Sequence, residues 1–223
     1  MGSYGTTIDT LAGELARIEA AFRGLTKPEW ETSTLLVPVD LGLPHWTVFE
    51  LAGHFDISIG LTRMLIGGRG DLQPARDRTS FFINPRSETG PVVYQYAYTM
   101  VEGKTPADMP AVLAETFGRT IEECRATPAD TVGPGYFAPM RVDEFVASRV
   151  VEAVVHGLDL TLALGRDPIA TPEGLALTAS ILDDLLARRT LGRRPADLAD
   201  DLAWVLAASG RAAHPDNRLP LIG

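Results

Sequence analysis

The segment VVEAVVHGLDL (residues 150–160) reads as part of a buried helix, because six of its eleven side chains are Val or Leu. Yet it carries Glu152 and His156 four residues apart, with Asp159 three further on. On a helix, residues four apart are offset by about 40° and sit one turn apart on one face. The same arithmetic gathers Phe145, Arg149, Glu152, His156 and Asp159 into a stripe about 80° wide, leaving the valines and leucines the rest of the circumference. Taken alone, the stripe reads more simply as the solvent face of an otherwise buried helix.

A second anomaly lies a hundred residues upstream. Counting about 100° per residue from His54 places Leu51, Ser58, Leu61 and Leu65 on its side of a helix, so an imidazole points along an apolar face. By itself it reads as a hydrogen-bonded core histidine. One arrangement accounts for both anomalies: the two helices pack so that His54 faces Glu152 and His156, with a divalent metal between them. Two imidazoles and one carboxylate suit zinc and leave a fourth position for water, a thiolate or a substrate oxygen. The same donors serve non-haem iron, and ligand identity leaves iron, nickel and manganese open. A metal also explains a carboxylate in this setting, since a buried unpaired charge is costly.

Outward from these two helices, the apolar spacing predicts a first helix over 7–23, where Ile8, Leu11, Leu15, Ile18 and Phe22 recur at steps of three and four. A connector with Pro28, Pro38 and Pro44 follows, in which 35–39 is a candidate short extended piece. The His54 helix starts at the capping box Thr47-Val-Phe-Glu50 and ends at Gly67-Gly68. A loop from Arg69 to Pro91 is longer than a plain connector and reads as an active-site wall. Helices are expected over 92–102, 107–126 and 142–164, the last stopping at Gly165. Beyond Pro168 and Pro172, two shorter helices over 175–189 and 198–209 precede an irregular tail. No stretch alternates enough to predict a sheet. The expectation is an all-α protein: a four-helix bundle over 1–165 with a C-terminal helical extension over 166–223.

Composition narrows the function classes. At 223 residues with 45% hydrophobic and 22% charged side chains, the chain has the make-up of a soluble globular protein. A net charge of −9 without a clustered basic face excludes a nucleic-acid surface. No apolar run is long enough for a membrane span. Only two of the twenty basic residues are lysines, a bias that points to a GC-rich bacterial gene. The single Cys124 forms no internal disulfide, which fits a cytoplasmic protein.

Two segments, PHWTVFELAGH (44–54) and RVVEAVVHGLD (149–159), resemble the signature helices of the mycothiol-dependent maleylpyruvate isomerase family, within the DinB-like superfamily. The Trp-Thr-Val opening, the helix-borne histidine and the E-x-x-x-H-G-x-D ending match in order and spacing. The resemblance spans about residues 8–165, with a weaker echo at WVLAASGR (204–211). It implies a DinB-like four-helix bundle with His54, Glu152 and His156 as metal ligands. It further implies a metal-dependent enzyme in which a low-molecular-weight thiol, mycothiol, adds as a thiolate to an electrophilic small molecule, as isomerase or S-transferase. Residues 166–223 match the C-terminal part of those isomerases poorly. Two alternatives therefore stay open: a thiol-independent metalloenzyme using activated water or Lewis-acid chemistry, and a non-catalytic DinB-like binding or stress-response protein. A homodimer also stays open.

Among the remaining candidates, Arg149 is the catalytic one, binding a substrate carboxylate or the cofactor's polar groups. A salt bridge to Glu152 or Asp159 is the alternative. Asp159 is placed to orient a ligand histidine. Asp56, two residues from His54, is expected at the surface. Cys124 reads as structural, Trp30, Trp46 and Trp204 as anchors, and His45 and His214 as residues of irregular segments. Arg76, Arg78, Phe81, Phe82 and Arg86 of the long loop, and the segment GYFAPM (135–140), are candidate substrate walls.

Overall fold

The computed structural model describes residues 3–34, 36, 44–67, 71–83 and 86–222. Its helices are α1 (Tyr4–Arg23), α2 (Lys27–Trp30), α3 (Val48–Gly67), α4 (Arg86–Val101), α5 (Met109–Ala126), α6 (Val142–Ala163), α7 (Pro172–Thr190) and α8 (Asp201–Ala208). The extended piece expected over 35–39 lies outside the described residues except for Leu36, as do Gly68 and Arg69.

Local chemistry explains the ends. The Thr47 amide donates to Glu50 Oε2 at 2.8 Å at the start of α3, the back-reaching half of the anticipated capping box. The α6 helix carries Asp143 and Glu144 in its first turn, where carboxylates oppose the positive end of the helix dipole. It closes in a Schellman motif, with Gly165 at φ 61° and the Arg166 amide donating to the Thr161 carbonyl at 2.9 Å. Thr171 caps α7 by accepting from the Gly174 amide at 2.9 Å, and Pro172 follows at the first helical position.

Four long helices close a ring: α1 packs on α5 and α6, and α3 packs on the same two. The valine and leucine face of α6 fills the middle, with Val146, Val150, Val151, Val154 and Leu158 all buried. α4 lies outside the ring against α3. The approach is close at Gly53, where an added Cβ would stand 2.5 Å from the Ala97 carbonyl oxygen. α7 packs on α6 and α1, and α8 packs on α7. Leu182, Leu185, Leu186 and Trp204 of these last helices belong to the same buried cluster as the ring, so the extension shares its core.

Three expectations need correction. Residues Val132–Gly133 (β1) and Met140–Arg141 (β2) pair antiparallel, a hairpin too short to show an alternating pattern. The long loop ends sooner than expected, because Ser80–Phe82 form a 3₁₀ turn and α4 begins at Arg86 with Pro91 inside it. Five helical residues precede that proline, so it stands inside the helix and not at its start, where a proline is read as a breaker from sequence. Asp56 is buried rather than exposed, accepting a 2.5 Å hydrogen bond from the Thr116 hydroxyl of α5. α3 is packed against α4, α5 and α6, so a residue two positions from His54 still faces protein.

Candidate metal centre

The α3 and α6 helices bring His54, Glu152 and His156 together, with one donor atom from each within 4.8 Å of the others. Glu152 Oε2 stands 3.4 Å from His54 Nε2 and 3.4 Å from His156 Nε2. Ligand atoms around a tetrahedral ion with bonds of about 2.0–2.1 Å are about 3.4 Å apart, so this spacing is that of a coordination edge. Among the described residues, both ring nitrogens of His54 are buried without a well-formed hydrogen bond, Nε2 having only the 3.4 Å approach to Glu152, and a buried polar atom left unpaired costs about 1–3 kcal/mol unless something binds there. The orphaned imidazole, the donor set and the spacing fit a divalent metal. His54 keeps 6% of its side-chain surface, whereas Glu152 and His156 keep 17% and 15%, so the group is open on the α6 side.

His156 is oriented from behind. Its Nδ1 donates to Asp159 Oδ2 at 2.8 Å, which fixes the tautomer and turns the Nε2 lone pair toward Glu152. Asp159 is in turn gripped by Arg211, with Nε to Oδ1 at 2.9 Å and Nη2 to Oδ2 at 2.7 Å. Burial works to raise the Asp159 carboxyl, but the charges of Arg211 and His156 outweigh it and hold the carboxyl at about 2. Arg211 reaches this position because α8 ends in a second Schellman motif, with Gly210 at φ 77° and the Arg211 amide donating to the Leu206 carbonyl at 2.7 Å. The C-terminal extension thus supplies a residue to the site.

Electrostatics divides the three donors. Burial pushes His54 below its ordinary value, and the neighbouring His156 adds to that, so it stays a neutral donor. Burial also works to raise Glu152, but the Arg149 charge and the two imidazoles outweigh it and keep the carboxylate ionised. His156 is raised despite burial by its contacts with Asp159 and Glu152.

Arg149 is buried, with its guanidinium 4.8 Å from the Phe81 ring centre and 4.5 Å from that of Phe145. It donates to the Ser58 carbonyl at 3.0 Å and to the Ser148 hydroxyl at 3.3 and 3.2 Å, and stands 3.8 Å from Glu152 Oε1. Phe81 arrives from the long loop, which is anchored when the Glu144 carboxylate accepts from Arg78 Nε and Nη2 at 2.8 and 2.6 Å. That loop therefore reaches the site through Arg149. Phe137 of the second candidate wall packs on Phe81, the ring centres 5.4 Å apart.

Trp46 was read only as an anchor, and it is buried as an anchor should be. It also lies against His54, ring centres 5.0 Å apart and planes tilted by 32°, with Tyr94 stacked on it in turn at 5.1 Å. Cys124 is buried and its thiol is pushed up to about 12 by burial, as a structural residue requires. His45 contacts the Thr34 carbonyl and His214 contacts Asp197; neither joins the donor cluster. For Arg211 the sequence offers only its place after a helix-ending glycine and the weak family echo over 204–211, neither of which names a partner. Its partner lies 52 residues away.

A helical bundle holding two histidines and one carboxylate at one point defines a class, that of bundle proteins with a candidate mononuclear metal site. Within it, the chain belongs to the mycothiol maleylpyruvate isomerase N-terminal domain family, which matches residues 11–161. Among solved structures it is similar to a mycothiol-dependent maleylpyruvate isomerase, with 15% identity and a TM-score of 0.55 over 84% of this chain and 69% of that one. A histidine-to-alanine mutant of such an isomerase is similar at 14% identity, with the same TM-score and coverage. No curated protein matches the chain. Among the described residues, no helix is long and apolar enough to cross a membrane.

Proposed function

We propose that the chain is a metal-dependent enzyme of the thiol-assisted isomerase or S-transferase type, with His54, Glu152 and His156 as protein ligands and mycothiol as the thiol. The observation that carries this reading is the orphaned His54 imidazole, 3.4 Å from a carboxylate oxygen that stands equally close to His156. His54, Glu152 and His156 would hold a divalent metal, and the chemistry it would supply there is a lowered thiol pKa and so a thiolate able to attack an electrophilic carbon. Zinc suits the donor set best. Family membership supports the thiol and a small-molecule substrate.

The chain's own residues prepare the site. Asp159, held by Arg211, fixes the His156 tautomer, so its Nε2 is available as a donor. Arg149 acts through Glu152: its charge keeps the carboxylate ionised at low solvent access, and its own donors are directed at Ser58 and Ser148. We assign it a positioning role in place of the direct substrate contact expected from the sequence. The partial exposure of Glu152 and His156 leaves an approach for thiol and substrate from one side.

Elemental analysis of protein purified without chelator tests the ligand set: about one divalent metal per chain is expected, and His156→Ala removes it. Stoichiometric metal in that variant overturns the assignment. Turnover that requires added thiol supports the thiol step, whereas equal turnover without it points to a thiol-independent metalloenzyme.

A further inference from the structure

The two histidines of the site are held by different means. His156 is locked by a hydrogen bond to Asp159, itself gripped by Arg211. His54 has no such support from behind: among the described residues its Nδ1 is buried and unpaired, and its one polar contact is the 3.4 Å approach of Nε2 to Glu152 Oε2. What lies against its ring is Trp46, 5.0 Å between ring centres with an angle of 32° between planes. His156 meets it edge-on at 4.4 Å. Tyr94 stacks on Trp46 at 5.1 Å and 16°. These rings belong to two separate elements, since Trp46 directly precedes the capping box of α3 and Tyr94 comes from α4.

Trp46 does not owe its place to a hydrogen bond either. Its Nε1 is buried and, among the described residues, without a partner. A side chain that only filled space would cost less as an aliphatic group, because a buried N–H without an acceptor is unfavourable. The flat face is the property that the surroundings use.

We propose that Trp46 is the positioning residue for His54, a flat plate packed against its imidazole that sets the ring's orientation and thereby the affinity of the metal site. The role is the counterpart of that of Asp159 for His156, carried out by ring packing instead of a hydrogen bond. Tyr94 backs the plate from α4, so packing of α4 on α3 bears on the metal site through two rings. The inference rests on the metal reading above and extends it to a residue that touches neither metal nor substrate.

The test is the affinity for Co²⁺ and Zn²⁺, measured by competition with a chromophoric chelator on the wild type, Trp46→Phe and Trp46→Met, alongside the visible spectrum of the Co²⁺ form. Trp46→Phe keeps a flat face and drops the N–H; affinity within about threefold of wild type is expected. Trp46→Met keeps apolar bulk without the face, and a loss of about tenfold or more is expected, the usual effect of removing a residue that orients a ligand. The Co²⁺ absorption should change shape in Trp46→Met and not in Trp46→Phe. Wild-type affinity and spectrum in Trp46→Met would overturn the proposal, as would an equal loss in both variants, which would assign the effect to the N–H. If Trp46→Met does not fold, Trp46→Leu replaces it with the same expectations. Absence of metal binding in the wild type would instead sink the metal reading itself, so the two failures are distinguishable.

Discussion

At the scale of single residues, the contact with the most consequence is between Asp159 and Arg211, side chains that keep 1% and 8% of their surface. Breaking a buried ion pair from one side leaves the other charge without compensation, at a cost of about 3–5 kcal/mol. Arg211→Ala is expected to lower the stability of the metal-free protein by an amount of that order, read from urea unfolding. It should also weaken metal binding, because Asp159 is then free to swing away from His156. Asp159→Asn keeps a side chain of the same shape; about a 10- to 100-fold loss of metal affinity is expected from the lost ionic acceptor. Affinity unchanged in both variants would remove Arg211 and Asp159 from the site's support.

Between elements, two contacts decide how the site is framed. Gly53 lets α4 come against α3 beside His54, and an alanine there would put its Cβ 2.5 Å from the Ala97 carbonyl oxygen and 2.8 Å from Val101 Cγ1. Gly53→Ala is expected to cost about 1–3 kcal/mol, as overpacking does, visible as a lower thermal midpoint. The other contact ties the long loop to α7. Asp77 accepts from the Thr79 and Ser80 amides at 3.1 and 2.8 Å and pairs with Arg188 at 2.8 Å. Burial works to raise Asp77, but the Arg188 and Ser80 hydrogen bonds outweigh it, and the carboxyl falls from 3.8 to about 2. A depressed carboxylate stabilises the fold fully above its unfolded value and loses that contribution as pH falls through the folded one. The thermal-midpoint gap between wild type and Asp77→Asn should therefore be widest above pH 4 and narrow between about pH 4 and 2. A gap that widens on acidification contradicts the assignment.

For the whole molecule, the question is whether 166–223 is an appendage or part of the bundle. We propose that it is integral. Glu14 of α1, buried, accepts from the Thr171 amide at 2.8 Å and from the Thr171 hydroxyl, binding the start of α7. Leu182, Leu185 and Trp204 join the ring's own buried cluster, and Arg211 closes on Asp159. A chain ending at Gly165 is expected to lose its cooperative urea transition and to bind metal weakly, because an apolar face of α6 is uncovered and Asp159 loses its partner. A sharp transition with full metal affinity would make the extension dispensable.

Much of this was legible locally. Helix repeats, the Thr47-Glu50 box and the Gly165 stop are short-range signals, and the structure places α1, α3, α5, α6 and α7 within a few residues of the expected bounds. The three candidate donors could be found because the helical period fixes which side chains share a face, with His54 out of place on one helix and the Glu152–His156 pair out of place on the other. What the period cannot carry is how helices are rotated against one another. That rotation buries Asp56 against Thr116, sets Trp46 on His54 and brings Phe81 over Arg149. Sequence alone therefore determined the helical class and singled out the three candidate donors, with Asp159 behind one of them, which depend on spacings of three and four. Only the tertiary structure decided that Arg211 grips Asp159 and that Trp46 lies against His54, because Arg211 meets Asp159 across 52 residues and their attraction depends on through-space distance alone.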